Sequence, residues 1–277
     1  MPHRVTRILS DVHYGDRGSR VRTLSALRPL FEGIDRLVLN GDTIDTRASK
    51  VPGLSEALRA ETLQFFREAA PAATFLTGNH DPDISEQHTL DLAGDRVFVT
   101  HGDILFDEIV PWGQDAATVR RRIREQLQQL GEKAAAQLEH RFRVFRQVAA
   151  TIPQRHQSER NALKYTAGIL ADTVWPPTRF LHILRAWRTA PALAASFTQR
   201  YRPKAGFVLI GHIHRPGYWR MPGGLVVINT GSYCPPLGGW IVDVRAEHLT
   251  VRTVQRRRGE FHPGPIVAEF PTGATRP

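Results

Sequence analysis

Aspartate, histidine and asparagine residues recur in this sequence just after short apolar runs, such as Ile8-Leu9. The residues that follow five such runs are Asp11 and His13, Asp42 and Asp45, Asn79 and His80, His101, and His212 and His214. Carboxylate, imidazole and amide oxygen ligands suit Mn, Fe, Zn or Co, and no thiolate lies in the pattern. The spacing therefore indicates a site for divalent metal ions.

Two ions held by these side chains would form a centre with net positive charge. Alternate residues on an extended loop point the same way, so Asp11 and His13 can bind one ion, while His212 and His214 serve different ions. Asp42 is the natural bridging carboxylate. Such a centre attracts a phosphate group and lowers the pKa of a bound water. The predicted chemistry is hydrolysis of a phosphoester or pyrophosphate bond.

Each residue also has a simpler explanation when it is taken alone. Asp11 and Asp42 could be turn or helix-capping residues, and Asn79 could occupy a left-handed turn beside Gly78. A single histidine such as His101 is often a hydrogen-bonded core residue. All of these explanations must hold together to remove the site, so the metal centre is the preferred interpretation.

The elements that must position these residues alternate between strand and helix. Predicted strands are Val5–Leu9, Leu37–Leu39, Ala73–Leu76, Val97–Thr100, Gly206–Ile210, Leu225–Ile228, Trp240–Val244 and Leu249–Val254, with helices at Val21–Phe31 and Ser55–Ala69. The carboxyl ends of strands in an α/β sheet face a common crevice, which would bring the candidate ligands together. The fold class predicted is α/β, a two-sheet sandwich (α/β/β/α) with a helical insertion.

The insertion divides the chain into four predicted parts. Residues 1–106 and 206–263 form the core, 107–205 form a basic helical insertion, and 264–277 form a loose C-terminal tail. The net charge is +10, and residues 104–205 hold 17 of the 37 Lys and Arg residues but 8 of the 27 Asp and Glu residues. The insertion is either a solvated appendage or a cap that binds an anionic substrate. Candidate substrate-binding residues in it are Arg143, Arg146, Arg185 and Arg188.

Composition and hydropathy restrict the cellular setting. Cys234 is the single cysteine, so an intrachain disulfide is impossible, as is usual in a reducing compartment. No apolar run is long enough to be a signal peptide or to span a bilayer. We expect a cytoplasmic protein, with peripheral contact to the acidic inner face of the membrane as a further option.

The full motif set resembles that of the calcineurin-like metallophosphoesterases. The motifs are Ser10-Asp11-Val12-His13, Gly41-Asp42-Thr43-Ile44-Asp45, Gly78-Asn79-His80-Asp81, Thr100-His101-Gly102-Asp103 and Gly211-His212-Ile213-His214. By resemblance, one metal ion is held by Asp11, His13, Asp42 and His214, and the other by Asp42, Asn79, His101 and His212. The resemblance also implies two divalent ions, Mn²⁺ first with Fe, Zn or Co as alternatives. His80 would protonate the leaving oxygen, Asp45 would orient His80, and metal-bound hydroxide would attack phosphorus in line.

The helical insertion is similar in placement and composition to that of the UDP-2,3-diacylglucosamine diphosphatase branch. That similarity implies a nucleotide-sugar or lipid-linked pyrophosphate as substrate, although the branch typically has Gly-Asn-Arg-Asp where this chain has His80. One alternative is a nuclease or phosphodiesterase that uses the basic segment on a nucleic-acid backbone, which the absence of basic-aromatic interleaving does not favour. The other is a non-catalytic metal-binding scaffold.

Overall fold

Two mixed β-sheets with helices on their outer faces make up the core of this computed structural model, which describes residues 4–70, 72–154, 161, 163–164, 167–168 and 175–273. The strands are β1 (Thr6–Leu9), β2 (Arg36–Asn40), β3 (Thr74–Leu76), β4 (Thr89–Leu92), β5 (Val97–Thr100), β6 (Phe207–Ile210), β7 (Gly217–Arg220), β8 (Val226–Asn229), β9 (Trp240–Val244), β10 (His248–Arg257) and β11 (Glu260–Pro271). The α-helices are α1 (Leu54–Ala69), α2 (Ala116–Leu130), α3 (Glu132–Ala135), α4 (Leu138–Ala150) and α5 (Thr178–Tyr201), and short 3-10 helices cover Leu24–Phe31 and Asp103–Leu105.

In each sheet the central strands run parallel, and their carboxyl ends lie at the same edge of the molecule. The first sheet has the order β11-β10-β9-β1-β2-β3 and the second β4-β5-β6-β8-β7. Strands β1, β2 and β3 run parallel, as do β5, β6 and β8. The loops after β1, β2, β3, β5 and β6 carry the candidate ligands, so the two sheets deliver them to one crevice.

Alternation of apolar side chains along the strands produces the layers. Ile8 packs into the core between the sheets, whereas its neighbour Leu9 packs outward under α1 and the 3-10 helix Leu24–Phe31. In the second sheet, Leu209 joins the central core and Val208 packs outward against α5. Strand side chains alternate between the two faces, so both faces of each sheet are covered. The predicted α/β/β/α sandwich is confirmed.

The helical segment has its own core. Four apolar side chains at helical spacing on α4 are buried and pack on Val119 and Ile123 of α2. They are Leu138, Phe142, Phe145 and Val148. Phe180 and Leu184 lie on α5 but are 50% and 41% exposed. Small residues at helical spacing, Ala186, Ala190 and Ala194, are buried instead and let α5 lie close to the second sheet. Within the described residues, no helix is both long and apolar enough to cross a bilayer.

The C-terminal region is the clearest difference from the sequence-based expectation. The loose tail predicted from 264 is wrong because β11 extends to Pro271 and pairs with β10 along its length. Pro263, Gly264 and Pro265 concealed the strand, since such residues usually interrupt strands. They are accommodated because β11 is an edge strand and its pairing with β10 shifts register between Val251 and Val254.

Phe270 offers a test of β11 as part of the core. Its ring is 3% exposed and lies 5.7 Å from the ring of Phe207 across the central core, whereas Ile266 of the same strand is 46% exposed. Phe270→Ala should lower the free energy of unfolding by about 3–5 kcal/mol because it leaves a cavity. The matched control Ile266→Ala should change it by about 0.5 kcal/mol or less. Urea denaturation measures both free energies. Equally small effects of the two substitutions would support the loose tail predicted from the sequence.

Candidate metal centre

The candidate ligands lie in loops with an unusual backbone. Asp11, His13, Asp42, His212 and His214 all have positive φ, between 48° and 68°, although none is glycine. This conformation is disfavoured for residues with a side chain, and it persists where the surrounding structure imposes it. Here the loops brace one another, since the Asp11 and His13 amides donate hydrogen bonds to the Gly41 and Asp42 carbonyls at 3.1 and 3.0 Å.

The first group of potential ligands contains Asp11, His13 and His214. The Nε2 atoms of His13 and His214 are 3.1 Å apart, and the His214 Nε2 atom is 3.2 Å from Asp11 Oδ1. Two atoms that bind one ion at about 2.1 Å and at right angles lie roughly 3.0 Å apart. The spacing of these three side chains therefore fits ligands of a single ion.

The second group contains Asp42, His101 and His212. His101 donates from Nδ1 to the Asn40 carbonyl at 2.9 Å, and His212 donates from Nε2 to the Ile109 carbonyl at 2.8 Å. A carbonyl can only accept, so these bonds fix the tautomers and leave His101 Nε2 and His212 Nδ1 as potential metal donors.

Two buried atoms test whether this second group fits a metal ion. His101 Nε2 and Asn79 Oδ1 are enclosed yet have no hydrogen-bond partner among the described residues, and His101 Nε2 lies 3.3 Å from Asp42 Oδ2. An unpartnered buried polar atom is costly, and a cation bound to both atoms would remove that cost. The donor set of this group thus fits a divalent ion.

Asp42 joins the two groups. Its Oδ2 atom is 3.3 Å from His101 Nε2 and 3.9 Å from His13 Nε2. It also forms a third potential ligand group with His13 and His80. One carboxylate within reach of both groups is the arrangement expected of a bridging ligand, and the clusters together indicate a dimetal site.

The protonation states follow from burial and from the two carboxylates. Burial opposes ionisation of Asp42, but His101 and His80 hold its pKa well below the usual range. Burial lowers the pKa of His13 to about 4 and that of His212 to about 3, so both are neutral at pH 7 and able to bind a metal. The pKa of His101 is raised well above normal against the effect of burial, chiefly by Asp42.

His80 lies at the mouth of the centre with a charged pair behind it. Its Nδ1 atom is 3.0 Å from Asp45 Oδ2 and 2.9 Å from an Arg47 guanidinium nitrogen. Arg47 can only donate, so Nδ1 cannot accept from Arg47 while donating to Asp45. Arg47 also holds Asp45 through two hydrogen bonds of 2.9 and 2.7 Å. Burial and Arg47 oppose protonation of His80, yet Asp42 and Asp45 raise its pKa above the usual value.

Sequence reasoning did not single out Arg47 or Asp81. Asp81 is fully buried and accepts hydrogen bonds from the backbone amides of Asp42, Thr43 and Gly78 at 2.9, 2.7 and 2.9 Å. It thereby ties the loop after β2 to the loop after β3. Burial and the Asp42 carboxylate raise its pKa to about 7. Its place in the quoted Gly-Asn-His-Asp motif was the available signal.

Two motif glycines are explained by close approach to the carboxylates. A Cβ atom on Gly78 would collide with Asp42 Oδ1, and one on Gly211 would collide with Asp11 Oδ2 and Ser10. Glycine is the residue that lets backbone approach a ligand group so closely. Replacement by any residue with a side chain would therefore displace the Asp42 or the Asp11 carboxylate.

The four arginines expected to bind substrate do not line the cavity beside the metal centre. This cavity of about 270 Å³ is bordered by Asp42, Asn79, His80, His212 and His214 and by apolar side chains. Arg143 and Arg146 border a separate cavity with Asp83, and Arg146 pairs with Glu86 at 2.7 Å. Arg185 and Arg188 are exposed on α5, on the side away from Ile183 and Trp187, which do border the metal-site cavity.

Metal content should distinguish Asp42, which lies within reach of both groups, from Asn79, which is assigned to one ion only. Asp42→Ala should abolish binding of both ions because Asp42 reaches both groups, whereas Asn79→Ala should retain the ion near Asp11. Metal analysis of purified protein after dialysis against Mn²⁺ measures the stoichiometry, with circular dichroism as the folding control. A fully loaded Asp42→Ala variant would contradict the bridging assignment.

Comparison with known proteins places this geometry in a family. Residues 6–216 match the calcineurin-like phosphoesterase family, without distinguishing the UDP-2,3-diacylglucosamine diphosphatase branch within it. No curated protein matches the sequence.

Among solved structures, vacuolar protein sorting 29 from Cryptosporidium parvum is 10% identical, with a TM-score of 0.46 over 97% of this chain and 98% of that one. A predicted phosphoesterase from Streptococcus pneumoniae is 16% identical, with a TM-score of 0.42 over 98% and 99%. A dimetal phosphatase from Danio rerio is 14% identical, with a TM-score of 0.46 over 100% of both chains. These values are too low to decide the substrate. By its family match over most of its length, the chain belongs to the calcineurin-like phosphoesterases and is a metal-dependent phosphoesterase.

Proposed function

We propose that this protein hydrolyses a phosphoester with two divalent ions, Mn²⁺ being the first choice. The observation that carries the proposal is that Asp42 belongs to Asp/His groups of potential ligands on both sides of it. Among the described residues, His101 Nε2 of one group and Asn79 Oδ1 are buried without a hydrogen-bond partner. When bound, the ions would draw charge from the phosphate oxygens and lower the pKa of a nearby water.

The proposed assignment of ligands follows the two groups. Asp11, His13, Asp42 and His214 hold one ion, and Asp42, Asn79, His101 and His212 hold the other. Fe, Zn or Co would suit the same nitrogen and oxygen donors, because the proposed ligand set contains no cysteine to restrict the choice.

His80 is proposed as the acid that protonates the leaving oxygen, with Asp45 and Arg47 as positioning residues. The Asp45 carboxylate and the Arg47 guanidinium both lie at Nδ1 of His80, so its Nε2 is the ring nitrogen left for the cavity. Arg47 fixes Asp45 by a two-bond contact, and Gln154 of the helical segment donates to the carbonyls of Asp45 and Arg47 at 3.1 Å each. A rigid acid is better aligned with the leaving oxygen.

A second candidate substrate is a nucleotide-sugar or lipid-linked pyrophosphate met at an acidic membrane surface. The observation in its favour is α5, which exposes Phe180, Leu181 and Leu184 beside Arg185 and Arg188.

The domain proposal is that residues 107–205 act as a cap on a core of 1–106 and 206 onward. A panel of aryl phosphate, bis(p-nitrophenyl) phosphate, UDP-glucose and single-stranded DNA separates ester, pyrophosphate and nuclease activities, and no turnover by metal-loaded protein would leave the scaffold alternative.

Removal of metal should abolish the activity. After chelation and verified metal loss, hydrolysis of p-nitrophenyl phosphate and bis(p-nitrophenyl) phosphate should fall to background, and Mn²⁺ should restore it. The reason is that the proposed mechanism relies on the bound ions to polarise the phosphate and to activate water. Initial rates with and without added Mn²⁺ measure this. Turnover that persists in the metal-free protein would exclude the two-metal mechanism.

Replacement of His80 should depend on the leaving group. His80→Ala should slow alkyl phosphates by about 10²–10⁴-fold and p-nitrophenyl phosphate far less, because an acidic leaving group needs little protonation. Arg47→Gln should show the same pattern more mildly, and the double variant should be no slower than His80→Ala, since the two act through one group. Arg202→Gln, which breaks the Arg202–Asp91 pair outside the cavity lining, is the control. Equal losses on both ester types would assign His80 to phosphate or metal positioning only.

A further inference from the structure

The cavity beside the metal centre has two chemically different walls. One wall consists of the potential metal ligands and His80, and the other of apolar side chains, notably Trp112, Ile183, Trp187 and Leu237. A cavity of roughly 150 Å³ is enough to hold benzene. A volume of about 270 Å³ therefore accommodates a phosphate together with a group the size of a ring system.

The apolar wall is held in place by contacts with the metal-site loops. Trp187 donates from Nε1 to the Ile213 carbonyl at 2.8 Å, which fixes its indole against the loop that carries His212 and His214. The ring of Trp112 lies 5.8 Å from the ring of His212. Both indoles pack on one cluster with Phe106, Ala186 and Ile213. The wall is thus preformed, which reduces the entropic cost of binding a substrate group.

The part of the apolar wall that the structure describes contains no Arg or Lys side chain. None of the described residues that line the cavity is Arg or Lys. The guanidinium of nearby Arg215 lies 5.7 Å from the ring centroid of Trp187 and 5.8 Å from that of Trp219. A second phosphate, or the next phosphate of a polynucleotide, would meet indole and alkyl groups there. Burying a charged group without a partner is strongly unfavourable.

We propose, resting on the hydrolase function above, that Trp112, Ile183 and Trp187 select phosphoesters whose leaving group is uncharged, apolar and planar. The oxygen of water bonds to phosphorus and releases a proton to solvent, the bond from phosphorus to the leaving oxygen breaks, and that oxygen takes a proton from His80. His80 then regains a proton from solvent, so one water is consumed in each turnover. The products are a phosphate and an apolar phenol or alcohol. Indole faces favour flat apolar groups through stacking and burial of area. The helical segment thus sets specificity through these apolar side chains.

The test compares 2-naphthyl phosphate with phenyl phosphate, which carry equal charge and leaving groups of similar acidity. Mn²⁺-loaded protein should have a kcat/KM for the naphthyl ester about tenfold higher than for the phenyl ester, because the second ring is buried against the wall. Trp112→Ala and Trp187→Ala should each bring that ratio close to one. Ile183→Arg should raise kcat/KM for UDP-glucose relative to the naphthyl ester, because it adds a cation for the second phosphate.

Controls separate a change in selection from a change in fold. Trp219→Ala removes the other indole over which Arg215 lies. Trp219 does not border the cavity, so this variant should keep the wild-type ratio. Ile183→Ala, which breaks no hydrogen bond to the His212–His214 loop, should lower the ratio with full metal content even if Trp187→Ala loses metal.

Three results would overturn the inference. They are equal kcat/KM for the two aryl esters in the wild-type protein, a ratio unchanged in Trp112→Ala, Ile183→Ala and metal-loaded Trp187→Ala, and a preference for UDP-glucose or single-stranded DNA. Failure of metal-loaded protein to hydrolyse any phosphoester would instead refute the proposed function itself.

Discussion

The structure depends on the burial of two carboxylates, Asp11 and Asp42, at the edge where the two sheets meet. Ionised groups removed from water need partners, and these receive backbone amides from His212 and His80 together with the surrounding imidazoles. Ligand loops with positive φ and motif glycines too close to the carboxylates for a Cβ atom are consequences of this packing. The side chains gathered around these carboxylates form the groups of potential ligands that indicate a dimetal site.

The helical segment is joined to that edge by several hydrogen bonds. The Ile109 carbonyl fixes the tautomer of His212, Trp187 donates to Ile213, and Gln154 donates to the backbone of Asp45 and Arg47. The segment therefore contacts both the loop with the candidate ligands His212 and His214 and the loop that supports His80. A change in the position of α5 would alter the substrate wall and the ligand loop together, so recognition of the organic group and support of the metal site are physically linked.

Sequence patterns predicted the elements whose apolar periodicity is strong. The short strands before each candidate ligand were found because their buried positions are continuous. Strand β11 was not found because its prolines and glycine are tolerated only at a sheet edge with irregular pairing. The sequence did not indicate which face of α5 is buried, because small alanines pack against the second sheet while larger side chains remain exposed. Neither pattern is visible without knowing the neighbouring element.

The sequence by itself determined the donor types, their order and their relation to strand ends, and these suffice to identify the metal centre and the family. Only the tertiary structure showed which donors lie within reach of one another, which nitrogen of His101 and His212 is left by the backbone hydrogen bond, and that Arg47 stands behind His80. It also separated Arg143, Arg146, Arg185 and Arg188 from the cavity and brought Trp112 and Trp187 to it. The physical reason is that ligand types are local properties of the chain. Charge pairing, hydrogen-bond direction and the lining of a cavity depend on side chains far apart in sequence.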